Sequence, residues 1–405
     1  MAAVLAGCGG PGGSDDVTLK LVAADYGDSK GNSSQKYWDK LAEKFEAENP
    51  GIKVDVSVYS WTDVDRKVKN MVKAGDAPDM AQIGAYADYA AQDKLYRTED
   101  LVSISTQADF MAPLSEAGEV NRVQYGMPFA SSTRLLFYNE KIFKDAGLTP
   151  PQSWTDLAAD AKVLKARGVK IPYALPLGKE EAQAETMQWL LSGGGGYTDN
   201  VGTYDIDSTQ NVKTFEWLKN DLVDKGLTGP TPPAKLDRAE AFAAFTRGDV
   251  GMLNGHPTLM QMAAKKGVKY GMVPMPGVNG NAKATMGVAD WMMAFKQHGH
   301  REEIGKFLDF AYSKKNVLDF SREYDLLPVT TSAAQEMTDN KNDKALAEFL
   351  DELPTSQLYP VGKTSWAQVS VEIKKYIGKA VDKNGNPASI LGQIQTNAAT
   401  EENAE

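Results

Sequence analysis

Aromatic and acidic side chains follow three predicted strands near the start of the chain. The positions are Tyr26 and Asp28 after the first strand, Trp61 and Asp63 after the second, and Tyr86 and Asp88 after the third. Aromatic rings with polar tips suit the C–H faces of a sugar. Carboxylates can pair with its hydroxyl groups, and an unpaired buried polar group costs about 1–3 kcal/mol. These residues therefore favour a site for a neutral polyhydroxyl compound.

Some of these positions also have a purely structural interpretation. Asp28 would then only solvate a loop, Asp63 would stabilise the first turn of a helix, and Trp61 would pack against its own helix. The two interpretations stay open until the strands and helices around these residues are known.

An enzyme acting on sugars would need a different arrangement. A glycosidase places two carboxyl groups about 5–9 Å apart around the scissile bond. Asp88, Glu185 and Asp290 are the candidate acids, and no motif pairs two of them. The sequence also lacks the G-x-S-x-G, Walker and H-E-x-x-H motifs. We therefore predict binding without catalysis.

Composition excludes several further classes. The 405 residues include 54 acidic and 44 basic side chains, and this net charge of −10 without a basic stripe argues against nucleic-acid binding. No window of 18 apolar residues occurs, so no membrane-spanning helix is predicted. One cysteine and three histidines leave little material for a disulfide or a zinc site. We expect no cofactor and no metal.

Hydrophobic periodicity predicts an α/β protein. Strands are predicted over 17–23, 52–58 and 79–84, with helices over 35–48 and 61–74 between them. This order implies a parallel sheet, whose strand ends form a crevice at one edge. Two extended pieces lie within 125–139, a second mixed α/β region follows, and the last hundred residues read as helices. The pattern indicates two lobes.

The first residues contain a small-residue box, Leu5-Ala6-Gly7-Cys8, followed by Gly, Pro, Ser and Asp. This resembles a bacterial lipoprotein signal, in which Cys8 becomes a lipidated N-terminus after export. The alternative is a chance cysteine in a flexible tail. We expect 1–16 to be a lipobox remnant and linker outside the fold.

Six segments in the same order resemble the extracellular solute-binding proteins of ABC importers, in the carbohydrate group similar to maltose-binding protein. They are GDAPDMAQIGAYADYAAQDKLY (75–96), YGMPFASSTRLLFYNEKIFKDAGLTPPQSWTDLAADAKVL (125–164), FAAFTRGDVGMLNGHPTLMQMA (242–263), YGMVPMPG (270–277), REEIGKFLDFAYSKKNVLDFSREYDLLPVTTSA (301–333) and TSWAQVSVEIKKYIGKAV (364–381). The resemblance covers nearly the whole chain.

The resemblance implies the two-lobed periplasmic-binding-protein-like fold of type II, with ligand held between lobes joined by hinge strands. The crossings are expected near 129–133, 292–295 and 326–329. The N-lobe would then comprise 17–130 and 294–327, and the C-lobe 131–293 and 328–405. An open empty state and a closed liganded state are expected.

The resemblance also implies site residues in the hinges and the C-lobe. These are Ser132 and Thr133 in the first hinge, Gln183 and Glu185, Asn254 and His256, Gly287, Asp290 and Trp291 by the second hinge, Arg322 and Tyr324 by the third, and Trp366. Thr258 stands where the family usually has a stacking tryptophan. Arg134 beside the first hinge could be a solvent-facing cation.

The resemblance implies that the protein captures an extracellular carbohydrate, which we expect to be an oligosaccharide. It would do so as a lipid-anchored monomer and deliver the carbohydrate to an ABC permease. A polyamine, iron or glycerol phosphate is the alternative solute, and Tyr86 with Tyr89 keeps iron open. A surface adhesin with the same lobes is a third class.

Overall fold

The computed structural model describes residues 16–27, 30–280 and 285–403. The strands are β1 (Val17–Ala24), β2 (Ile52–Tyr59), β3 (Met80–Ile83), β4 (Glu119–Val120), β5 (Val123–Gln124), β6 (Met127–Thr133), β7 (Leu135–Asn139), β8 (Ile171–Ala174), β9 (Val250–Gly255), β10 (Tyr270–Val273) and β11 (Gly287–Ala294).

Helices cover most of the rest of the described chain. They are α1 (Ser34–Glu48), α2 (Val64–Lys73), α3 (Ala87–Ala91), α4 (Ile104–Asp109), α5 (Ala112–Ala117), α6 (Glu140–Ala146), α7 (Trp154–Ala166), α8 (Ala182–Ser192), α9 (Thr209–Trp217), α10 (Arg238–Thr246), α11 (Thr258–Lys265), α12 (Arg301–Ala311), α13 (Lys314–Tyr324), α14 (Thr331–Asp339), α15 (Lys344–Glu352), α16 (Trp366–Tyr376) and α17 (Pro387–Glu402).

A five-stranded sheet forms the centre of the first lobe, in the order β2-β1-β3-β11-β6. β1 pairs in parallel with β2 and β3, as the alternation of strands and helices predicts. β11 and β6 complete the sheet in antiparallel orientation. The carboxyl ends of β1, β2 and β3 therefore lie at one edge, where the loops that follow them face the second lobe.

A four-stranded sheet forms the centre of the second lobe, in the order β10-β7-β9-β8. α8 crosses this lobe, and nearly all of its side chains are buried, which explains its weak amphipathic pattern. The chain reverses after it at Gly194, whose φ of +86° is in the left-handed region that favours glycine. The tryptophans Trp154, Trp189 and Trp217 pack against one another in this core.

The chain passes between the two sheets at places that differ from the expected crossings. β6 ends at Thr133 and β7 begins at Leu135, so the first passage lies one residue beyond 129–133. The second lies just before Gly287, the first residue of β11. Residues 292–294 instead pair with β3 deep in the first sheet, because β11 fills the position between β3 and β6. Gly287 and Asp290, assigned to the C-lobe from the sequence, therefore belong to the first sheet.

The third passage also lies later than 326–329. Leu327 bridges to Ser131, and the backbone N–H of Met111 donates to the carbonyl of Val329, so this stretch runs along the first lobe. α15 then contacts both sides: Thr133 Oγ1 in β6 donates to the carbonyl of Phe349, and the Phe349 ring packs against Phe137 in β7. The passage is therefore made around α15.

No helix in the described part of the chain is long and apolar enough to cross a membrane. No group of three or more His, Cys, Asp or Glu side chains that could hold a metal occurs among the same residues. The predictions for Cys8 and Asp28 lie outside the described residues.

Candidate functional site

The first-lobe wall of the cleft is built on a hydrogen-bonded chain of three side chains. Tyr26, just after β1, donates from its hydroxyl to Asp290 Oδ2 at 2.7 Å, and Gln82 Nε2 in β3 donates to the same hydroxyl oxygen at 2.7 Å. Gln82 Oε1 accepts from the backbone N–H of Ala24 at 3.1 Å, which fixes the amide. The strands thus hold Tyr26 and Asp290 together, and Trp61 packs edge-on against the Tyr26 ring.

The pKa of Asp290 is raised to about 7, mainly by burial and in smaller part by the charges of nearby Glu181 and Asp65. The hydrogen bond from Tyr26 and the charge of Arg134 oppose this rise. Asp290 belongs to the first sheet and Glu181 precedes α8 in the second lobe. The carboxyl groups of the two lobes therefore interact across the cleft.

Tyr86 and Trp291 form a fully buried pair beneath this wall. Their rings lie 5.3 Å apart, and the Tyr86 hydroxyl donates to the carbonyl of Ala117 at 2.6 Å. Both side chains are 0% exposed, while Trp291 Nε1 has no partner among the described residues. Asp88 beside them is half-buried, and burial raises its pKa. The tyrosine supports the first lobe, and the indole N–H remains free to donate.

Asp65, an exposed residue that sequence reasoning missed, lies against the loop after β3, whereas Asp63 was expected to line the cleft. Asp63 turns outward and pairs with Arg66, which lowers its pKa. Asp65 Oδ1 accepts from the backbone N–H of Gly84 at 3.2 Å, and crowding by protein atoms raises its pKa while Lys374 of α16 lowers it. α2 begins at Val64 rather than at residue 61, so Asp63 is its N-cap residue, while Val64 and Val68 face the core.

The second-lobe wall centres on Glu185 in the first turn of α8. Its Oε1 accepts from Trp189 Nε1 at 2.8 Å, from Asn254 Nδ2 at 3.0 Å and from the Tyr173 hydroxyl at 3.4 Å. Burial raises its pKa to about 7, and these hydrogen bonds and the charge of Arg134 oppose the rise. Glu185 and Asn254, expected from separate segments, are thus in direct contact at the end of β9.

A chain of ion pairs borders Glu185. Arg134 Nη2 lies 2.5 Å from Glu181 Oε1, and Arg238 Nε lies 2.8 Å from Glu181 Oε2. Arg238 also pairs with Glu180. The two arginines and two glutamates balance in charge, and no ion pair to Glu185 or Asp290 occurs among the described residues. Arg134 is only 5% exposed, which contradicts the expectation of a solvent-facing cation.

His256 lies next to these arginines at the end of β9. Its ring packs 4.9 Å from Phe242, and burial together with Arg134 and Arg238 holds its pKa well below the ordinary value. The imidazole is therefore neutral at physiological pH. Its Nδ1 has no partner within the described chain, so it can exchange one hydrogen bond with a ligand.

Three aromatic rings pack together at the start of α16. Trp366 lies 5.1 Å from Tyr359 with nearly parallel planes and 5.4 Å from Tyr197. Tyr197 donates to the carbonyl of Gln183, while the Tyr359 hydroxyl has no partner in the described structure. Tyr359 was not predicted, and the only sequence signal for it is its position in a loop shortly before Trp366.

The remaining predicted residues lie at the hinges or on α13. Ser132 and Thr133 are buried in β6, and Gly287 is packed so that a Cβ would lie 2.5 Å from Ser356 Oγ. Tyr324 contacts the Tyr26 ring at 6.0 Å. Arg322 pairs with Asp343 and lines a groove between α1 and α13, so the structure does not bring it together with the other residues.

Buried polar atoms without a partner gather on the elements that face the cleft. Among the described residues, the atoms on these elements are Arg134 Nη1, Gln183 Oε1, Asn254 Oδ1, His256 Nδ1, Trp291 Nε1, the Tyr359 hydroxyl and Thr364 Oγ1, and other unpartnered atoms lie elsewhere, for example on Trp38, Thr98 and Asp160. The set contains donors, acceptors and hydroxyl groups that can do either. Such a mixture matches a ligand that itself carries many hydroxyl groups.

Comparison with known proteins identifies the family and the fold. The family model described as bacterial extracellular solute-binding protein matches residues 30–318. A Brucella abortus protein named only as a binding protein is 28% identical over 384 residues, covering 92% of this chain and 90% of its own. The sn-glycerol-3-phosphate-binding periplasmic protein UgpB of Escherichia coli K12 is 27% identical over 320 residues, covering 73% and 71%.

Solved structures share the fold at low sequence identity. A solute-binding protein of Thermotoga lettingae bound with α-D-tagatose superposes with a TM-score of 0.80 at 18% identity, covering 95% of this chain and 100% of its own. Lmo0181 of Listeria monocytogenes in complex with cycloalternan gives 0.79 at 21%, covering 95% and 99%. The maltose-bound MalE3 of T. maritima gives 0.80 at 19%, covering 95% and 99%.

Proposed function

The chain belongs to the family of bacterial extracellular solute-binding proteins, and on this premise we propose that it captures a carbohydrate between its lobes and delivers it to an ABC permease. The observation that carries the proposal is the mixed set of unpartnered donors and acceptors beside the stacked rings of Trp366 and Tyr359. Sugar hydroxyls would pair the former, and sugar C–H faces would pack on the latter.

Glycerol phosphate is the second candidate, because one relative is named for binding it. The free N–H of Arg134 would suit a phosphate oxygen. Glu185 and Asp290, however, have no cationic partner, and both arginines are already paired with glutamates. A phosphate dianion would therefore find no arginine charge left unpaired, which favours the neutral carbohydrate.

A thermal-shift screen followed by calorimetry tests the proposal. The panel contains D-tagatose, maltose, maltotriose and cycloalternan, with sn-glycerol 3-phosphate as the anionic member. We expect one or more of the carbohydrates to raise the melting temperature and to bind in the micromolar range or tighter. Stabilisation by glycerol phosphate alone would overturn the carbohydrate assignment, and cleavage of a bound glycan would overturn binding without catalysis.

The same proposal includes the membrane anchor and the lobe boundaries. We place a lipid on Cys8, which would hold a monomer at the outer face of the cytoplasmic membrane. Cys8→Ser should abolish incorporation of labelled fatty acid in a bacterial host.

From the strand pairing, we place the first lobe at 17–133 and 287–339 and the second at 135–280 and 353–403, with α15 between them.

A further inference from the structure

We propose that Arg134 contacts the ligand directly, by donating from Nη1 to an uncharged hydroxyl or ring oxygen, and so links ligand occupancy to lobe closure. This inference rests on the proposed function, since it places the solute in the cleft. It goes further by naming a residue and the kind of ligand atom that this residue recognises.

The backbone position of Arg134 is the first argument. Thr133 pairs with Gly287 in the first sheet, and Leu135 pairs with Gly255 in the second, so Arg134 lies between the two sheets. Its carbonyl accepts from Thr285 Oγ1 at 2.8 Å, at the second passage between the lobes. The main chain of Arg134 thus joins two of the connecting segments, where a rotation of the lobes must change the backbone angles.

The side chain supplies the second argument. Glu181, which is itself held by Arg238, accepts from Nη2 of Arg134. Nη1 is left without a partner among the described residues although the side chain is only 7% exposed. A small cavity of about 10 Å³ beside it is also lined by Glu185 and Asn254, whose Oδ1 is unpartnered. A charged donor held in one plane and left unpaired favours an oxygen placed in that plane.

The surrounding charges define which oxygen is accepted. Glu181, Glu185 and Asp290 all lie close enough for their charges to interact with Arg134 or with one another. On the opposite side, Arg238 and the neutral His256 face the same space. Because Glu181 already balances the charge of Arg134, a phosphate or carboxylate would find no unpaired cation here, whereas a hydroxyl or ring oxygen needs only the N–H donor.

The contact is tested by removing the Arg134 donor from the protein and the acceptor oxygen from the sugar, singly and together. The variants are Arg134→Met and Arg134→Lys, and the control is Arg167→Met, an exposed arginine at the end of α7. Glu181 keeps its pair with Arg238 in the variants, so no carboxylate is left alone. Each protein is titrated by calorimetry with the tightest-binding sugar of the panel above and with its monodeoxy analogues.

We expect R134M to bind the parent sugar about 10- to 100-fold more weakly, the range for one hydrogen bond from a charged donor. R134K should fall between, and R167M should match the wild type. One deoxy analogue should bind the wild type weakly yet lose nothing further in R134M, because the same hydrogen bond is already missing. A purely structural role would instead weaken every analogue equally, and this result would overturn the contact.

Small-angle scattering tests the link to closure. We expect saturating sugar to reduce the radius of gyration of the wild type, and to reduce it less in R134M. Full closure of saturated R134M would overturn the link. Equal affinity of R134M and the wild type would overturn the contact while the proposed function stands. If no panel sugar binds the wild type, both fail together, and an R134M that does not fold leaves R134K to decide.

Discussion

Single polar atoms without partners are the most informative residue-scale feature of this protein. In a folded chain nearly every buried polar group is paired, so each exception calls for an explanation. Here many of the exceptions lie on the walls of one cleft. A group that is unpaired in the protein but paired by a ligand contributes to affinity rather than to folding, and these two contributions can be measured separately.

The variant Tyr359→Phe separates the contribution of one such group to affinity from its contribution to folding. The hydroxyl of Tyr359 has no partner among the described residues, so its removal breaks no protein hydrogen bond. We expect the melting temperature of the unliganded protein to be unchanged or slightly higher, and sugar affinity to fall about 3- to 30-fold. Calorimetry and thermal unfolding measure both. Tyr376→Phe, at the end of α16, is the control. A lower melting temperature of unliganded Y359F would contradict the expectation.

Asp290 should give the protein a characteristic pH dependence. Burial raises its pKa from 3.8 to about 7, so the folded protein holds this proton more tightly than the unfolded chain does. Between these values the unfolded chain binds fewer protons, and the free energy of unfolding falls as pH rises. Asp290→Asn removes this titration, so its melting temperature should fall less than that of the wild type from pH 5 to pH 8.

Asp63→Asn is the matched control for this experiment. The Asp63 pKa is lowered by Arg66, so its contribution to stability is present above its unfolded pKa and is lost only in more acidic solution. The D63N curve should therefore run parallel to the wild type between pH 5 and pH 8. A D290N curve parallel to both would show that Asp290 does not titrate in this range.

Residue types and the family resemblance together indicated part of the candidate site. Tyr26, Asp290, Glu185 and Asn254 were predicted, and hydrogen bonds join Tyr26 to Asp290 and Glu185 to Asn254. Their contact with a ligand stays a prediction. Asp65 and Arg134 were missed for physical reasons. A carboxylate on the polar side of a helix has no distinguishing signal until the loop beside it is known, and an arginine looks solvent-exposed until its ion-pair partners are known from distant segments.

At the scale of elements, local periodicity predicted most of the strands and longer helices. β1, β2, β3 and the helices between them lie within a few residues of their predicted bounds. The antiparallel entry of β11 between β3 and β6 was not predictable, since pairing over more than 150 residues leaves no local signal. The short hairpin of β4 and β5 was missed because two-residue strands have no periodicity.

The second passage between the lobes depends on one helical side chain. The Oε1 atom of Gln188 in α8 accepts from the backbone N–H of Met286 at 3.1 Å. Gln188→Ala leaves this buried N–H unpaired, and we expect the free energy of unfolding to fall by about 1–3 kcal/mol. Urea denaturation measures the loss. Gln335→Ala, on the exposed face of α14, should be neutral, and an equal effect in both would refute the role of this contact.

At the scale of the whole molecule, the two lobes approach each other closely at the cleft rim. A Cβ at Gly362, in the loop before α16, would lie 2.7 Å from the carbonyl oxygen of Glu119 in the first lobe. Lys374 and Asp65 interact across the same gap. This proximity describes a closed arrangement, which a ligand stabilises only by binding it more tightly than the open one.

Gly362→Ala should therefore oppose closure without touching the sugar. The added methyl group would press on a backbone oxygen, so the lobes must separate slightly. We expect weaker sugar affinity and a larger radius of gyration at saturation by scattering, with the unliganded radius unchanged. Gly392→Ala in α17 is the control, because its Cβ would meet its nearest neighbour at 3.7 Å. Identical scattering of liganded G362A and wild type would count against the closed arrangement.

The placement of β11 has a consequence for the order in which the chain acquires its structure. The second sheet needs only residues 135–273, while the first sheet needs β11 and so remains incomplete until residue 294. During synthesis from the amino end, the second sheet can therefore form before the first sheet is complete. β1, β2 and β3 must wait with one unpaired flank, and pairing over so long a loop is slow. Completion of the sheet that contains the first strands should thus be a late step in folding.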